Sequence, residues 1–211
     1  MNKRKVESGQ GIVELAVILP VLLILLLGVV EIGYALRDYL VIVNACREGG
    51  RFAARGRFSD TRVGERVVSA GGYIGTGGSS STDMPFLRTT GPDPNTAIII
   101  THIPMDPSGE VPSYTVWVSG TVPITGGVRT ALAADSRVSI ADIVNRHGGT
   151  TRDINATRVA AGYEAMHNHI VVVEVIFMHH PLWNNPLVPL PDPWVMHARS
   201  EMRVVSDREA R

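Results

Sequence analysis

Cysteine is almost absent from this chain, with Cys46 the single one in 211 residues. No disulfide can close within the chain and no cysteine-based zinc site can form, so an exported part must stand on its apolar core alone. Net charge is missing too, because 20 Lys and Arg are matched by 20 Asp and Glu. Without a basic excess there is no electrostatic footprint for nucleic acid, which is not an expected partner. Signatures of chemistry are equally scarce: no Gly-rich phosphate loop, G-x-S-x-G elbow or paired-carboxylate motif stands out. The seven histidines come closest. His167 and His169 flank Asn168, and His179 adjoins His180, but neighbours on a strand point to opposite faces, and a metal needs three or four convergent ligands. Neither an enzyme nor a metal or other cofactor is expected.

What the chain does have is one long apolar run. From Leu15 to Val30 only Pro20 and Gly28 are not strongly apolar, and Ile12, Val13, Ile32 and Leu36 extend the run to what a bilayer core needs, about 20 residues. A cleaved secretory signal has an apolar region of only about 7 to 15 residues, so this stretch reads as a membrane helix. Glu14 stands near its start, where an unpaired charge is costly and a carboxylate points to function. Lys3, Arg4 and Lys5 precede it, a cationic flank of the kind that stays on the cytoplasmic side. An ordinary signal anchor, with Glu14 snorkelling to water, is the plain alternative.

Basic head, Gly9, four residues, Glu14 and apolar helix, in that order, resemble the processing site of type IV prepilins and pseudopilins. That resemblance implies a membrane peptidase cutting after Gly9, so that Gln10 becomes the N-terminus and Glu14 the fifth mature residue. An amine at Gln10 and a carboxylate at Glu14, one helical turn apart, would then pair between neighbouring subunits in an apolar bundle and set their register. Gln10, Gly11, Glu14 and Pro20, followed by Ala45, Arg47, Glu48, Gly49, Arg51, Phe52 and Ala53 at the helix exit, resemble the TadE-like family, the pseudopilins of the tight-adherence (Flp) pilus apparatus. Leu15 departs from the pattern, standing where an aromatic residue commonly follows the glutamate.

The resemblance implies a minor subunit, because the head is large. Its implied partners are a prepilin peptidase, other pilins and pseudopilins of the same pilus, an inner-membrane assembly platform and membrane lipid. It also implies a single-pass protein of the cytoplasmic membrane, or of the pilus, with a cytoplasmic N-terminus and an extracytoplasmic head. Arg37, Arg47, Arg51, Arg55 and Arg57 follow the helix, so a charge count alone favours the opposite orientation. The processing pattern decides for the first.

The expected organisation is a basic leader over residues 1–9, a transmembrane and stalk helix over 10–56, and an α+β head over 57–211. Pro20 removes one helical hydrogen bond, and Gly49 and Gly50 form a weak point where the rod bends unless a neighbour packs close. Ser59 or Asp60 caps a second helix to Ala70, carrying Val63, Val67 and Val68 on one side. Residues Gly71 to Pro94 read as a long loop.

An antiparallel sheet of about four strands follows from Ala97–His102, Ser113–Gly120, His169–His179 and Trp194–Val205. The first two are joined as a hairpin through Pro107, Ser108 and Gly109, and the third is apolar on both faces as a central strand should be. Helical turns are expected at Ser139–Asn145 and Asn155–Met166. Five prolines between Pro181 and Pro193 forbid regular sheet and leave Leu182 and Trp183 exposed. Glu174, in the apolar strand, is expected to pair with an arginine such as Arg199 or Arg203.

Two functional readings follow. One is a TadE-like minor pilin that assembles through its helix. The other is a membrane-anchored extracytoplasmic ligand-binding protein or enzyme with an uncleaved signal anchor, which a convergent polar pocket in the head would favour.

Overall fold

A computed structural model describes residues 7–56, 59–74, 84–91, 93–125, 127–182 and 192–204. The basic start of the leader, most of the Gly/Ser-rich stretch and Trp183 lie outside the described residues. Helix α1 spans Glu7–Ala53, and α2 spans Asp60–Ala70. A two-residue pair, β1 (Tyr73–Ile74) and β2 (Met84–Pro85), precedes the main sheet. That sheet is built from β3 (Thr96–Met105), β4 (Thr115–Ile124), β5 (Gly127–Thr130), β6 (Asn168–His179) and β7 (Trp194–Arg203), with helix α3 (Ile140–Ala160) between β5 and β6. The strands lie in the order β5-β4-β3-β6-β7 and every neighbouring pair is antiparallel.

The four expected strands are present, and β5 adds a short fifth at the edge. Central position follows composition: β6, β-branched on both faces, is buried along nearly its whole length. Its odd-numbered residues, Val171, Val173, Val175 and Phe177, join Ile98, Ile100 and Ala198 against Ile42, Ala45 and Cys46 of α1 and Val63 and Val67 of α2. The opposite face is covered twice. Ile103, Met105, Ile170 and Val172 pack around Ile143 of α3, while Ala97, Ile99 and Ile176 meet Val122 and Ala131.

Three expectations needed correction. Helix α1 is unbroken over its 47 residues despite Pro20 and the Gly49–Gly50 pair. A Cβ on Gly49 would lie 2.3 Å from Val67 Cγ2, and one on Gly50 would lie 3.0 Å from Ser200 Oγ, so the glycines let α2 and β7 pack close. That packing keeps the residues helical where propensity alone would weaken the helix. Second, the two helical turns expected around residues 139–166 are one helix that ends at Ala160. Gly148, between the two expected turns, packs on Gly109, whose carbonyl oxygen would be 2.6 Å from an added Cβ. Gly162, with φ of 80°, then ends the helix before the Tyr163–Met166 stretch. Third, residues 71–94 are not all loop. Phe86 and Leu87 are buried, Phe86 stacks on Phe177 with ring centroids 4.9 Å apart, and Asn95 Nδ2 donates to the Phe86 carbonyl at 3.0 Å.

Candidate functional site

Helix α1 has two halves with opposite surroundings. Between Gln10 and Val30 its residues are exposed on every side, with Ile12 at 69% and Val29 at 68%. That segment rises about 30 Å, the thickness of a bilayer core. From Glu31 onward a buried stripe appears at steps of three or four residues: Glu31, Ala35, Asp38, Ile42, Ala45, Gly49 and Ala53. This spacing keeps one face of a helix on one partner, and the partner is the sheet. The chain therefore carries one helix long and apolar enough to cross a membrane among its described residues.

Gly9 and Gln10 lie in the opening turns of α1. Gln10, Val13, Glu14, Val17 and Ile18 border a shallow notch on one flank of the helix. Glu14 is exposed there and has no hydrogen-bond or ion-pair partner among the described residues. Pro20, one and a half turns further on, lacks the N–H that would serve the Ala16 carbonyl, leaving a second unsatisfied polar group on the same exposed segment.

The start of α1 is thus an exposed apolar helix whose carboxylate, Glu14, has no partner among the described residues. Residues 9–51 match the family model for TadE-like protein. No curated protein and no solved structure matches the chain. The TadE-like segment takes in Gly9, Gln10, Glu14, Pro20 and the helix exit as far as Arg51, and the sheet of the head lies beyond it. TadE-like proteins are pilin-like structural proteins. The match supports a pilin-like protein associated with a tight-adherence pilus, and together with the apolar helix it supports membrane anchoring through α1.

Where the TadE-like helix meets the head, His179 at the end of β6 sits between two carboxylates of α1. Its Nδ1 is 2.7 Å from Asp38 Oδ2 and its Nε2 is 3.1 Å from Glu31 Oε1. The Leu182 amide also donates to Glu31, at 3.1 Å. Both ring nitrogens of His179 thus face carboxylate oxygens of the helix. Sequence reasoning missed this clamp. Its signal was two acidic residues seven apart on the helix face that otherwise carries small and aliphatic residues.

The other polar clusters are structural. Glu174 does not pair with Arg199 or Arg203. It accepts from Ser136 Oγ and, at 3.0 Å, from the Arg137 amide, and it lies 3.0 Å from His197 Nε2. Burial pushes this carboxyl up, and the hydrogen bonds from His197, Ser136 and Arg137 outweigh it and hold it below the usual range. A nucleophilic serine needs an imidazole between hydroxyl and carboxylate, whereas here the carboxylate is in the middle and fully buried.

On the α1 side of the sheet, His102 Nε2 is 2.6 Å from Asp60 Oδ1 and its Nδ1 is 3.3 Å from His169 Nε2. Burial, with His102 nearby, pushes the His169 ring down from its ordinary value. No group of three or more candidate ligands among the described residues could hold a metal. The groove between α2 and the sheet sets Thr61, Glu65 and Ser69 beside Val68, Ile98 and Trp117. Of the apolar loop residues expected to be exposed, Leu182 is, at 67%.

Proposed function

We propose that this chain is a minor pilin of a tight-adherence pilus, cut after Gly9 by a prepilin peptidase and assembled through its N-terminal helix. In this reading α1 crosses the inner membrane with its start in the cytoplasm and the head outside. After cleavage the Gln10 amine of one subunit meets the Glu14 carboxylate of its neighbour. The opening at Pro20 is covered by a third helix of the bundle, and head-to-tail repetition builds an open helical assembly rather than a ring. The observation that carries the proposal is the TadE-like match over residues 9–51 on a helix that exposes apolar side chains all round and holds Glu14 without a partner among the described residues. A tethered ligand-binding head is the second reading, and a convergent polar pocket would favour it.

Intact mass and N-terminal sequencing of the membrane-extracted protein, from cells that make the matching peptidase, test the processing step. The expected mature chain begins at Gln10, and Gly9→Ala stays uncut. Glu14→Ala inserts into the membrane yet is missing from sheared pili. A wild-type chain still beginning at Met1, or a Glu14→Ala chain present in pili at the normal level, overturns the proposal.

A further inference from the structure

The apolar surface of α1 does not stop where the head begins. On the side away from the sheet, Ile32, Leu36 and Leu40 remain exposed at 64%, 57% and 53%. The run from Ile12 to Leu40 rises about 42 Å, longer than a hydrocarbon core of about 30 Å and equal to a bilayer with its headgroup layers. Glu31, where the head first covers the helix, therefore lies at the inner edge of the headgroup layer rather than clear of it. Tyr34 and Tyr39, both 44% exposed, fall in the same interval, where aromatic side chains with a polar tip collect.

The base of the head is tied to this level. Leu182 donates its amide to Glu31, and its own side chain is open. Trp194 starts the edge strand opposite His179, and Val195 beside it is 49% exposed.

The charges of this region suit the same neighbour. Glu31 and Asp38 are sequestered by His179, and the exposed His180 and Asp192 offset each other at 2.7 Å. Arg37 is exposed on α1 between the two tyrosines, placed to meet lipid phosphate. We propose that the base of the head, centred on Leu182, rests in the interfacial layer of the membrane that α1 spans, so that the head is seated on lipid. This rests on the reading of α1 as a membrane anchor.

The test uses the full chain in lipid nanodiscs with an environment-sensitive fluorophore on Leu182→Cys. Ile24→Cys reports the depth of the span. Glu110→Cys, in the turn after β3 at the opposite end of the sheet, reports water. The native Cys46 is fully buried and hydrogen-bonded to the Ala198 carbonyl, so the unsubstituted chain serves as the labelling blank. Emission from position 182 is expected to shift to the blue. It should also be lost more to nitroxide lipids labelled near the headgroup than to those labelled near the chain end, with the reverse order at position 24 and no loss at 110.

If position 24 is quenched while 182 emits as 110 does, the seating on lipid is wrong and the anchor stands. A blue shift at 182 without quenching that grows with protein density means that a second copy covers the base, which also overturns the proposal. No quenching at position 24 removes the anchor reading and this inference with it.

Discussion

Replacing His179 by Ala leaves two carboxylates facing each other in a nearly closed space, and the cost can be worked from the geometry. The side chains of His179, Glu31 and Asp38 are 4%, 7% and 12% exposed, so solvent does little to screen what remains. Taking one partner from a buried ionic group costs about 3–5 kcal/mol, because an uncompensated charge stays behind. For a chain of this size each kcal/mol moves the unfolding midpoint by about 2–4 °C, so a fall of about 6–20 °C is expected. Thermal unfolding of the full chain in detergent micelles at neutral pH, followed by circular dichroism of the sheet, measures it.

The control is the triple substitution Glu31→Gln, Asp38→Asn, His179→Gln, which keeps the shapes and removes the charges. A neutral set of similar volume is often as stable as the ionic one, so most of the loss should return. A His179→Ala cost below about 1 kcal/mol, the centre of ordinary substitutions, would show that the clamp does not hold head to helix. So would a triple variant no more stable than the single one.

Two further outcomes follow from the same packing and electrostatics. Gly49→Ala gains helix propensity worth about 1 kcal/mol but drives a Cβ into Val67. Overpacking of about 1–3 kcal/mol makes the net change a destabilisation, whereas Gly28→Ala, with nothing within 4 Å, keeps the propensity gain and should not destabilise the chain in the same melts. Acid should weaken the head in two stages, read as urea midpoints against pH. His169 is held neutral in the fold, so the unfolded chain takes up its proton first and stability falls as pH drops through about 6.5. Glu174 is held ionised, so its contribution is present above the ordinary carboxyl range and is lost as pH falls through its depressed folded value. His169→Asn should flatten the first stage and Glu174→Gln the second, and unchanged profiles would refute the assignments.

The legible parts of the fold were those where one physical signal dominates. The span from Leu15 to Val30, the two-sided apolar β6 and the alternation of Trp194, Met196 and Ala198 along β7 each announce their surroundings through the period of their apolar residues. Where tertiary packing overrides local preference, the reading failed. Gly49 and Gly148 argue against helix by propensity, yet both are helical because another part of the chain fills the space a side chain would take. Phe86 and Leu87 sit in a glycine-rich context that masks two core residues. Glu174 was legible as a buried carboxylate, but not its partners: Ser136 and Arg137 approach from a connection whose path no periodicity encodes, and His197 is brought opposite by strand register. The pattern Gly9, Gln10, Glu14 and Pro20 is visible in the sequence itself, because the proposed cleavage and bundling involve a linear segment. The His179 clamp could not, since it joins residues about 140 positions apart.

Glu14 and Glu31 pose the same physical problem at the two ends of the span. Each is an acid on an apolar helix, separated by 17 residues or roughly 25 Å, and neither carboxylate is tolerable in a low-dielectric setting without a counter-group. At Glu31 the chain solves the problem internally, with His179 and the Leu182 amide brought in by the head. Among the described residues nothing comparable reaches Glu14, because the head first covers the helix at Glu31. In the proposed assembly the counter-group for Glu14 arrives along the plane of the membrane, at the depth of the helix start, and a sister chain's Gln10 amine would meet both conditions once the leader is cut. The Glu31 end of α1 is thus satisfied by folding, and the proposal assigns the Glu14 end to assembly, which would make a single copy of this protein incomplete.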